Sequence, residues 1–160
     1  MKNLLLLTFT LCFTPVIMAC SCLELKALTK QEVQEASHIF TGKVVAIDTL
    51  VDNRQIEVLI SISETIKGEE VNERIIKTNL SSAACGLTLK LGQDWFFLIT
   101  EFKGELRVNM CGRHHNITKP RFRLCKKKRG SYRSQREFYK ANLQKVETYK
   151  KIIASVQETI

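Results

Sequence analysis

Two cysteines one residue apart, Cys20-Ser21-Cys22, follow directly on a stretch with the make-up of an export signal. In an extended segment, residues two apart face the same way, so both thiols can turn inward while Ser21 projects outward. A chain end held like this becomes a stapled, protruding wedge. Once the signal is removed, its tip offers a free α-amine beside the Cys20 carbonyl. Both are competent metal ligands when the amine, of ordinary pKa about 7.7–8.0, has lost its proton. Such an end is suited to reaching into a metal site on another protein.

Residues 1–19 carry one cation, Lys2, then an apolar run from Leu4 through Met18, with Ile17 and Ala19 at the −3 and −1 positions. This reads as a secretory signal peptide, too short for a membrane span, so no transmembrane segment is expected. Its removal takes Cys12 away and leaves 141 residues with five cysteines, Cys20, Cys22, Cys85, Cys111 and Cys125. Export implies an oxidising compartment, where thiols default to a disulfide framework. The length suits one domain whose core is helped by such staples. A rival reading takes Ile17-Met18-Ala19-Cys20 as a bacterial lipobox. Cys20 would then carry lipid and the other four cysteines would pair evenly, although Met18 and the lone Lys2 suit that motif poorly.

Without Lys2 there are 24 basic and 16 acidic residues, a net charge of +8, and the excess sits in one place. Between Lys119 and Arg136 there are nine Lys/Arg and no acid, so the remainder is near neutral. The run is either a solvated linker or a patch for sulfated polysaccharide or another acidic surface, with Lys126, Lys127, Lys128 and Arg129 at its centre.

Along the chain, Thr29-Lys30-Gln31-Glu32 has the form of a capping box and opens a short helix to about Ala36. Alternation from His38 to Leu50 and from Gln55 to Ile66 predicts a long hairpin turning at Asp52-Asn53. Arg74–Thr78 reads as a third strand. Asp94–Thr100 and Glu105–Met110 read as a second hairpin across Lys103-Gly104. Five short-spaced strands favour a closed or nearly closed antiparallel barrel. From about Ser134, where Ser134-Gln135-Arg136-Glu137 is again a capping box, Tyr139, Leu143, Val146, Tyr149, Ile153, Val156 and Ile160 recur on one helical face. That face is free either to pack on the barrel or to bind a partner.

The leading Cys-x-Cys, the segments HIFTGKVV and ISETIKG, then AACGLTLKLGQDWFFLI and GELRVNMCG, follow in the order and spacing of a known family. From Cys20 to about Asn116 the chain resembles the inhibitory domain of the tissue inhibitors of metalloproteinases, part of the netrin-like group. The resemblance implies an OB-like five-stranded antiparallel barrel over residues 20–118, followed here by a basic segment (119–136) and an amphipathic helix (137–160). It also implies the disulfides Cys20–Cys85 and Cys22–Cys111. By the same resemblance, the Cys20 amine and carbonyl chelate the catalytic zinc of a metalloproteinase, displacing the water that zinc would activate. Ser21 enters the enzyme's specificity pocket, Cys22 and Leu23 continue along the cleft, and Ser82, Ala83 and Ala84 beside Cys85 form a second contact strip. The zinc is the target's, and no cofactor of the protein's own is implied. The chain departs from the family pattern in lacking a third bridge, which leaves Cys125 unassigned, and in placing Leu23-Glu24-Leu25 where a proline is usual. The alternative is a non-inhibitory netrin-like module held by lipid or on acidic polysaccharide.

Other signals point to ordinary roles. His114-His115 read as surface histidines on opposite faces, and Trp95, Phe96 and Phe97 as core. Base stacking requires exposed aromatics on a basic face, so nucleic acid is not an expected partner. No nucleophile, base and orienting group stand together, so an enzyme is not expected. Asn79-Leu80-Ser81 and Asn116-Ile117-Thr118 are glycosylation sequons, meaningful in a eukaryotic secretory route.

Overall fold

A computed structural model describes residues 20–120 and 129–158. The signal segment, Cys125 and Lys126–Lys128 lie outside the described residues. The elements in order are α1 (Lys30–Glu35), β1 (His38–Leu50), β2 (Gln55–Lys67), β3 (Glu73–Asn79), a 3₁₀ turn (Ser82–Ala84), β4 (Asp94–Ile99), β5 (His115–Asn116) and α2 (Arg129–Gln157). Among the described residues the protein is mainly β, with five antiparallel strands in one open sheet of order β3-β2-β1-β4-β5. No helix among the described residues is long and apolar enough to cross a membrane.

The capping box at Thr29 forms in full, with its side chain accepting from the Glu32 amide and the Glu32 carboxylate accepting from the Thr29 amide. β1 and β2 pair along nearly their whole length, with register shifts at Ile39/Phe40, Thr41/Gly42 and Val44/Ala46. Bulges of this kind bend a strand, and they let β1 pair with β2 on one side and β4 on the other. Gly42 sits where they cross closely. A Cβ there would lie 2.5 Å from the Ile60 side chain and 2.7 Å from the Ser61 carbonyl.

Alternation along β4 sorts the aromatics between two cores. Trp95, Phe97 and Ile99 join Phe40, Val44, Val58, Ile60, Ile76 and Val108 on one face. Phe96 joins Ile39 on the other, beneath Leu28, Val33 and Ala36 of the α1 region and Val146, Ile153 and Val156 of α2. Burying each such side chain stabilises by roughly 1.5–3 kcal/mol. The apolar face of α2 therefore packs against the sheet, with Tyr139, Leu143 and Tyr149 partly buried along it.

Two of the elements differ from the sequence expectations. Phe102 and Glu105 do form a tight turn, with Lys103 at φ 52° and Gly104 at φ 76° as such a hairpin requires. The returning segment, however, is not a strand paired with β4. It crosses to β3, where Lys77 donates to the Leu106 carbonyl and accepts from the Val108 amide in a single parallel bridge. The Lys77 ammonium meets Glu105 at 2.9 Å and Glu57 at 3.2 Å, and Val108 is buried, which draws the segment to that side. β4 instead pairs with the short β5, and the sheet stays open. The second difference is the start of α2 at Arg129, well before Ser134. Glu137 does not turn back on a cap but pairs with Arg133 one turn earlier, at 3.2 Å. The helix therefore takes in the end of the basic run.

Candidate functional site

Cys20 is bonded to Cys85 and Cys22 to Cys111, each with a Cα–Cα distance of 5.2 Å. These are the pairs the resemblance implies. The two bridges lie side by side, with the Cys20 and Cys111 sulfurs 3.9 Å apart. The sulfurs of Cys20, Cys85 and Cys111 cluster within 4.8 Å, but as disulfides they offer no thiolate to a metal. Beyond the bridges the chain stands out from the surface. Ser21 and Cys22 are exposed, and Leu23 is 92% exposed.

The strip at Ser82, Ala83 and Ala84 lies beside this end and is exposed. Its shape is fixed by local bonds. Ser81 caps the 3₁₀ turn through its hydroxyl, which accepts from the Ala83 amide, while its carbonyl accepts from Ala84 and Gly86. The Asn79 side-chain amide donates to the Ala84 carbonyl. Cys85 then turns into the left-handed region at φ 62°. Gly86 must follow, because a Cβ there would collide with the carbonyls of Asn79 and Ser81. The Cys85 carbonyl accepts from Met110 at 2.9 Å, and Asn109 accepts from the Cys111 amide, so the two bridged cysteines are set at one level. The surface that results is small and mostly apolar, with Leu80 and Met110 also exposed around it.

Behind the wedge stands a residue that sequence reasoning missed. Arg113, 7% exposed, donates to the Glu32 carboxylate at 2.8 and 2.9 Å, to the Lys26 carbonyl at 2.9 Å and the Ala27 carbonyl at 3.3 Å, and to the Tyr149 hydroxyl at 3.1 Å. Its guanidinium also lies 5.7 Å from the centre of the Tyr149 ring. Hydrogen bonding from Arg113 holds the Glu32 carboxyl below its ordinary range against the opposing effect of burial. In sequence only the position of Arg113 two residues after Cys111 could have marked it.

His114 and His115 do face opposite ways, but they are partly buried rather than surface residues. His114 lies against Phe97 at 5.7 Å, and His115 packs between Phe96 at 6.5 Å and Tyr149 at 5.4 Å. His114 Nδ1 and His115 Nε2 are enclosed without a hydrogen-bond partner among the described residues. Burial, then the neighbouring His115, lowers the His114 pKa to about 3, while burial, Lys145 and Arg113 lower that of His115 to about 4. Both rings are neutral in the folded protein, whereas the unfolded chain protonates them near 6.5. Their contribution to stability is full above that value and is lost as pH falls from 6.5 towards 4 and 3. Denaturant midpoints should therefore drop between pH 7 and about pH 5, above the carboxylate range. His114→Leu should flatten that drop, and an equally steep drop in the variant would refute the assignment.

Compared with known proteins, the chain matches no family model and no curated protein.

Proposed function

We propose that the protein is an exported inhibitor of zinc metalloendopeptidases, of the tissue-inhibitor, netrin-like kind, acting extracellularly through its mature N-terminus. The carrying observation is the pair of adjacent disulfides that present Cys20, Ser21, Cys22 and Leu23 beside Ser82, Ala83 and Ala84. In this reading the Cys20 amine and carbonyl bind the target's zinc in place of its water, and Ser21 fills the adjoining pocket. A Cys20 bonded to Cys85 has no thiol left to carry lipid, which favours the inhibitor over a lipid-anchored module. The test is a panel of zinc endopeptidases assayed with mature protein whose end-sequence begins at a free Cys20. Nanomolar inhibition of at least one member is the expected outcome, and none across the panel would remove the reading.

A second role, retention on sulfated polysaccharide, is supported by the early start of α2. Arg133, Arg136 and Lys140 are exposed and recur at steps of three and four on the side of the helix away from Val146. In sequence they follow directly on the basic run of Lys126–Arg129. Retention on immobilised heparin should fall steeply with salt, because contacts between exposed charges are screened. Replacing Arg133, Arg136 and Lys140 with Gln should lower the eluting salt concentration without touching inhibition. Unchanged elution would refute the role.

A further inference from the structure

The wedge is held at two points. Its sulfurs are fixed at Cys20 and Cys22, and four residues beyond Cys22 its backbone is gripped again, where Arg113 donates to the carbonyls of Lys26 and Ala27. Between these anchors Leu23, Glu24 and Leu25 are exposed. The grip does not rest on Arg113 alone, because Glu32 at the start of α1 takes two of its donors and Tyr149 of α2 takes a third beneath its ring. Tyr149 in turn is packed against Phe96 and His115. A helix lying outside the part of the chain that carries the resemblance is thereby joined, through one buried guanidinium, to the base of the wedge.

We propose that Arg113, oriented by Glu32 and Tyr149, is a positioning residue that pre-sets the Cys20–Ala27 segment for entry into a proteinase cleft, and that α2 is required for this. The inference rests on the inhibitor reading. Without the grip, the segment beyond Cys22 samples more conformations, and only the fraction that keeps the extended path can enter a cleft. Apparent affinity then falls in proportion to that fraction. The loss lies in the association rate, because in the complex the cleft itself holds the segment and dissociation is unchanged. A planar fork is needed to serve a carboxylate, two carbonyls and a hydroxyl together, and a lysine ammonium cannot do so.

The test uses Arg113→Lys and Tyr149→Phe in the full mature protein, with both bridges verified by peptide mapping. For Arg113→Lys the association rate with an inhibited endopeptidase should fall about tenfold while dissociation stays within about twofold. An independent readout is tryptic cleavage at Lys26–Ala27, the peptide whose carbonyl Arg113 holds. Cleavage of a transiently opened segment follows the population of the open form, so it should accelerate by about tenfold. Tyr149→Phe keeps the ring and loses only the hydroxyl, and should move both quantities the same way by about threefold. If Arg113→Lys does not form its bridges, Tyr149→Phe decides. A bridged variant with wild-type association and wild-type cleavage at Lys26 overturns the proposal. If wild-type protein inhibits nothing, the inhibitor reading falls on its own. Cleavage at Lys26 still decides the grip, faster cleavage upholding it and unchanged cleavage overturning it.

Discussion

Adding one alanine ahead of Cys20 is expected to leave the protein folded and doubly bridged and to weaken inhibition by about 30- to 1,000-fold or more, the equivalent of roughly 2–4 kcal/mol at a buried central contact. The extra residue moves the α-amine out of register and turns the Cys20 nitrogen into an amide, which is a poor ligand. The thiols, the bridges and the Ser82–Ala84 strip are untouched. Ser21→Gly makes the useful contrast, because in the proposed mode of inhibition it keeps the chelating pair and removes only the pocket contact. Its effect should differ from one endopeptidase to the next. Inhibition constants for both variants against the same panel separate the two roles.

The second large effect falls on stability. Phe96 is fully buried, held between the sheet on one side and Tyr149 and His115 on the other, with Ile39, Val146 and Ile153 in the same core. Phe96→Ala should destabilise by about 3–5 kcal/mol, because it removes a ring and leaves a cavity that packed neighbours cannot fill. That is a large part of the 5–15 kcal/mol that typically separates folded from unfolded states. Phe102, on the Lys103-Gly104 turn, is 58% exposed, and Phe102→Ala should fall within about 0.5 kcal/mol of wild type. Denaturant midpoints of the two variants, measured with bridges intact, check both numbers. Equal shifts would mean that α2 does not close the second core.

The same contrast marks what could be read from sequence. Local periodicity locates the long hairpin at His38–Leu50 and Gln55–Ile66, within a residue of the observed strands, and the apolar run inside Asp94–Thr100 marks Trp95, Phe96 and Phe97 as core, which they are. What periodicity does not carry is the choice of partner for a strand-like segment. Glu105–Met110 alternates as a strand should, yet its pairing was decided by Lys77, nearly thirty residues earlier, and by the reach of Cys111 to Cys22. For the same reason a barrel was expected where the sheet is open. A capping-box pattern does not by itself fix the helix start, because it also occurs inside a helix, where its Glu can serve an i,i+4 ion pair instead. Nothing near His114 and His115 in the sequence marks them as covered, because their cover, Phe97 and Tyr149, comes from distant elements. At the site itself, the exposed wedge and strip follow from short, local motifs. The buried hub at Arg113 draws its partners from residues 26, 27, 32 and 149, and no single stretch of sequence displays it.

The central claim is that the Cys20 amine and carbonyl become ligands of another protein's zinc, and cobalt substitution tests it most directly. A zinc endopeptidase whose metal has been exchanged for cobalt(II) holds three protein ligands and a water. Adding mature protein with a free Cys20 amine should replace the water with a nitrogen and an oxygen, and the visible spectrum should change from a four-coordinate to a five-coordinate form at one equivalent. The alanine-extended variant should leave the spectrum as it was. Inhibition by the mature protein with the cobalt spectrum unchanged would contradict the account, because the enzyme would then be blocked without its metal being touched.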